Sequence, residues 1–170
     1  MDSAPSFLTI VVDVDSLCSV FSARSAKIEK RIDVNQIISG LCIFCNSYVM
    51  MGRQNRLLVL SVRSTGVDSI YPSTEVLSRS IESNNFIPYL PNLNEVMIKE
   101  LSESISKQQM ELNSAGPNKS RGLLVRALST AITVTNRQLQ TNKLQSRILV
   151  IQFDRDKPQN YNAIMNTIFW

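Results

Sequence analysis

Three short, nearly unbroken apolar runs constrain the fold of this 170-residue chain more than any other feature. They are Phe7-Leu8-Thr9-Ile10-Val11-Val12 closed by Asp13, Arg56-Leu57-Leu58-Val59-Leu60-Ser61-Val62, and Arg147-Ile148-Leu149-Val150-Ile151-Gln152-Phe153. A strand that alternates apolar and polar residues has one buried face. A strand apolar throughout is buried on both, which calls for a parallel sheet covered by helices on either side. The first run is read as the first, central strand. From Val34 the apolar positions Ile37, Ile38, Leu41, Phe44, Cys45 and Tyr48 recur every three or four residues, with Asp33 as N-cap and Gly52 as the C-terminal stop. Strand, helix and strand form a βαβ unit with a right-handed crossover. The expected fold class is α/β: a mostly parallel, Rossmann-type sheet with helices on both faces, in one domain over residues 1–170.

The other segments fit this frame. Residues 14–32 include the polar stretch RSAKIEKR, and residues 64–92 are rich in Ser, Asn and Pro. Within the latter, Ser69-Ile70-Tyr71 before Pro72 reads as a short edge strand, where proline is tolerated. Asn92 or Asn94 caps a helix bearing Val96, Met97, Leu101 and Ile105, with Lys99, Glu100, Glu103 and Lys107 opposite, expected to be amphipathic and peripheral. The breaker Asn113-Ser114-Ala115-Gly116-Pro117-Asn118 precedes a helix opened by Ser120, with Leu124, Ala127, Leu128, Ala131, Ile132 and Thr135 along one face. The third apolar run is expected to be another buried strand. Tyr161, Ile164, Met165, Ile168 and Phe169 then mark a last amphipathic helix running to Trp170. A βα unit normally feeds a further strand, so the domain is expected to be incomplete, truncated at its C-terminus.

Composition removes function classes. The chain is 44% hydrophobic and 19% charged, a globular balance, and its net charge of +4 comes without the concentrated basic stripe of a dedicated nucleic-acid binder. It has no apolar stretch long enough for a membrane span and no basic region ahead of the first apolar run, so an intracellular protein is expected, with no membrane partner. Histidine is absent, which removes Ser-His-Asp and Cys-His catalysis, imidazole-zinc sites and the usual general base near neutral pH. The five glycines form no phosphate-cradling loop. The chain is expected not to be an enzyme, with no catalytic or cofactor-binding residues.

Asp13-Val14-Asp15-Ser16-Leu17 follows the first strand at the carboxyl edge of the sheet, where doubly wound folds place ligands. Here von Willebrand A domains carry an Asp-x-Ser-x-Ser motif whose oxygens coordinate Mg²⁺ with a distant Thr and Asp. Asp13, Ser16 and Asp154 are the candidate ligands, with Asp156 nearby in sequence. The match is degenerate, since Asp15 and Leu17 stand where the two serines belong. These groups are read as caps and turn formers, and no metal site is assigned. Three cysteines, Cys18, Cys42 and Cys45, make neither an even disulfide set nor a metal set, and Cys42-Ile43-Phe44-Cys45 inside a helix is read as packing. Arg53, Arg56, Lys119, Arg121 and Arg126 are read as solvated faces, and the acceptor sequence at Asn118 as a chance match.

Ile10-Val11-Val12-Asp13, Asn46-Ser47-Tyr48 through Arg56-Leu57, Tyr71-Pro72, Ser146-Arg147-Ile148-Leu149-Val150-Ile151, Tyr161 and Met165-Asn166-Thr167-Ile168-Phe169 occur in the order and spacing of a known family. The chain resembles the smaller von Willebrand A-like subunit of the transcription and DNA repair factor TFIIH, over the front two-thirds of that domain. The resemblance implies a non-catalytic core subunit, nuclear, serving RNA polymerase II initiation and nucleotide excision repair through protein–protein contacts. It implies the other core subunits as partners, chiefly the cysteine-rich, zinc-binding C-terminal module of the larger von Willebrand A-like subunit, with DNA contacted only indirectly. The family's own four-cysteine zinc module lies beyond this chain, so no cofactor is expected in it. The competing readings are a Mg²⁺-dependent ligand-binding von Willebrand A domain and a DNA-binding accessory domain.

Overall fold

The first apolar run forms strand β1 (Ser6–Asp13), and it is interior to the sheet. In the computed structural model, which describes residues 5–24, 33–82, 92–114, 123–141, 144–154 and 158–169, β1 pairs in parallel with β2 (Arg56–Val62) on one side and β4 (Gln145–Ile151) on the other. The short strand β3 (Val67–Tyr71) pairs antiparallel with β2 and closes one edge, as expected of a segment that ends at proline. The order is β3-β2-β1-β4.

Because side chains alternate across a strand, β1 and β2 feed two cores. Leu8, Ile10, Val12, Leu57 and Val59 face the layer formed by α1 (Val14–Arg24), α2 (Val34–Met50) and α4 (Leu93–Ser114). Phe7, Val11, Leu58 and Leu60 face α3 (Thr74–Glu82) and α5 (Leu123–Thr141), whose Ala127 and Ala131 are fully buried. Small residues there bring the helix close enough for the Thr9 and Thr135 hydroxyls to pair at 3.0 Å inside this core. Without that pairing each buried hydroxyl would cost about 1–3 kcal/mol. Helix α6 (Pro158–Phe169) packs beside α5. Helices therefore cover both faces of a mostly parallel sheet, as the apolar runs require.

Asp33 caps α2 as expected, its side chain accepting from the Asn35 amide, and the helix ends at Met50 with Met51 as its C-cap, just before Gly52. Two expectations are corrected. The third apolar run is not a buried strand: β4 lies at the open edge, with Leu149 37% and Val150 38% exposed. Among the described residues β4 has a strand partner on one side only, and its side chains alternate between partly covered and exposed. Helix α4 is amphipathic but not peripheral, since it packs on α1, α2 and β3 and buries Met97, Leu101 and Gln108 completely or nearly so. Helices α1 and α3 were not anticipated. The polar stretch after Arg24, the turn at 115–118, the helix start at Ser120 and Trp170 lie outside the described residues. Among the described helices, none is long and apolar enough to cross a membrane.

Candidate functional site

At the carboxyl edge of β1 the chain turns directly into α1, and Asp13 is its cap: the Ser16 amide donates to Asp13 Oδ1 at 3.0 Å. The Ser16 hydroxyl donates to the Asp13 carbonyl at 2.9 Å and accepts the Phe153 amide at 3.1 Å, which pins the end of β4 to the start of α1. Two of the three candidate metal ligands thus meet directly, and the third, Asp154, follows the residue that Ser16 holds. Asp13 and Ser16 spend oxygens on backbone amides, the geometry of a helix cap. Asp156 lies outside the described residues.

Asp15, standing where a metal-binding serine would, is held by a side chain from 93 residues away. Gln108 of α4 is fully buried; its amide nitrogen donates to Asp15 Oδ1 at 2.8 Å, and its oxygen accepts the Ser64 amide at 2.7 Å. One amide therefore joins α4, the β1–α1 junction and the β2–β3 turn. One helical turn on, Glu111 accepts from the Ser64 hydroxyl at 2.8 Å and the Thr65 hydroxyl at 2.9 Å, and bonds Arg63, which also pairs with Asp68 at 2.7 Å. Beneath it, Ser104 donates to Ser61 at 3.1 Å within the core. On the β2 side of β1, α4 is thus tied to the carboxyl edge of the sheet by side-chain hydrogen bonds. The signal for Gln108 is a polar residue continuing the stripe of Met97, Leu101 and Ile105, but its partners are not legible from spacing.

The amino edge has its own clamp. Asn55 accepts from the Ser6 hydroxyl at 2.8 Å and donates to the Tyr48 carbonyl at 3.0 Å, while the Ser6 and Tyr48 hydroxyls lie 2.8 Å apart. Burial raises the Tyr48 pKa, opposed by its bond to Ser6 and by the charge of Arg147. Tyr48 stays neutral and acts as a brace.

The cysteines are inert by position. Burial pushes Cys45 up to about 12 and Cys18 to about 11, helped by neighbouring Cys42 and Asp15 respectively, and burial also raises Cys42. All three thiols are protonated at physiological pH, as packing residues are. Among the described residues, the basic side chains do not converge. Arg53 and Arg56 lie at the amino edge of β2, where Arg56 donates to the Arg53 and Asn55 carbonyls. Arg126 is in the first turn of α5, whose other end leads into β4 at that edge, so about 20 Å of helix separates them. Lys119, Arg121 and Asn118 lie outside the described residues.

Three comparisons bear on this architecture. The family model described as transcription factor Tfb4 matches residues 5–170. The TFB4 subunit of general transcription and DNA repair factor IIH from Eremothecium gossypii is 25% identical, over 99% of this chain and 54% of its own length. That from Candida glabrata is 28% identical, over 99% and 53%. The chain spans about half the length of the curated relatives it matches. The crystal structure of the TFIIH p34 N-terminal domain superposes with a TM-score of 0.67 at 19% identity, covering 99% of this chain and 76% of that one. The fold is the von Willebrand A-like one expected from the sequence.

Proposed function

Because the chain belongs to the Tfb4 family, we propose that it is a non-catalytic structural subunit of a TFIIH core complex, acting in RNA polymerase II transcription initiation and nucleotide excision repair. The observation that carries this reading is the family match over residues 5–170. Its work is done through protein–protein contacts in the nucleus, with the cysteine-rich zinc-binding module of the larger von Willebrand A-like subunit as chief partner. Residues 1–170 then supply the front part of a von Willebrand A-like domain, and zinc belongs to the family's C-terminal module.

Affinity purification of the tagged chain from its native cells tests the reading. The other TFIIH core subunits are expected to co-purify, and recovery as a free monomer would sink it. The same reading leaves the carboxyl edge without a divalent ion. Millimolar Mg²⁺ should therefore leave the melting temperature unchanged. An ion at a hundred times its Kd would add about 2.7 kcal/mol, or roughly 5–11 °C for a domain of this size. A rise of that order would favour the metal-dependent reading.

A further inference from the structure

We draw no further inference here: the strongest candidate, the uncharged outer face of α2 with the apolar groove that Ile37 and Phe44 form against Leu149 of β4, carries nothing, because it borders the open edge of the sheet and nothing in the structure shows what covers it.

Discussion

Replacing Gln108 with leucine is expected to lower stability by about 2–4 kcal/mol, read as a fall in melting temperature of roughly 4–16 °C. The substitution removes a charge-assisted bond to Asp15 and leaves the Ser64 amide without its acceptor. A hydrogen bond to a charged group contributes about 1.5–3 kcal/mol, and losing an ordinary bond at the part-buried Ser64 amide costs about 0.5–1.5 kcal/mol. Leucine fills the space of the lost amide but pairs with neither group. Hydrogen exchange at Ser64 localises the effect, since its amide should exchange faster than its neighbours in β2. An unchanged melting temperature with unchanged Ser64 protection would mean that the amide bridge contributes nothing.

Met97→Ala is expected to cost about 2–5 kcal/mol, the range for deleting a large buried apolar side chain and leaving a cavity. Met97 is fully buried between α4 and the core built from β1, α1 and α2, whereas its neighbour Ile98 is 51% exposed. Ile98→Ala should therefore stay within about 0.5 kcal/mol of wild type. Urea midpoints of the two variants, measured side by side, decide whether α4 is core or cover. Equal midpoints would return α4 to the peripheral role its charged face first suggested.

Much of the frame was legible because it rests on local pattern. The runs at 7–12 and 56–62 are strands, the period from Val34 is α2, and Asp33 caps it, each for reasons contained within a few residues. The third run was legible as a strand but not as the last of the described order, because its apolar residues match those of β2 and strand order is set by pairing far apart in sequence. Helix α1 carries a readable period at Val14, Leu17, Cys18 and Phe21, yet the Asp-Val-Asp-Ser start favoured a loop reading. Helix α3 starts two residues after Pro72 in a segment rich in Ser, Asn and Pro, which favoured a loop reading; among its described side chains Leu77 is buried. Gln108 and Asn55 were not legible at all as clamps, since their partners lie 93 and 49 residues away. The residues that tie the two ends of the sheet are the ones a local reading cannot reach.

The placement of β1 between β2 and β4 also sets a timetable for synthesis. One side of β1 is met by β2 after about 50 residues, but the other waits for β4, about 140 residues later. At roughly 5–20 residues per second, that second flank stays unpaired on the ribosome for about 7–28 seconds. For that interval a buried strand of the finished sheet presents a bare hydrogen-bonding edge, a template for aggregation. The sheet's central edge is thus protected only once residues 145–151 have emerged.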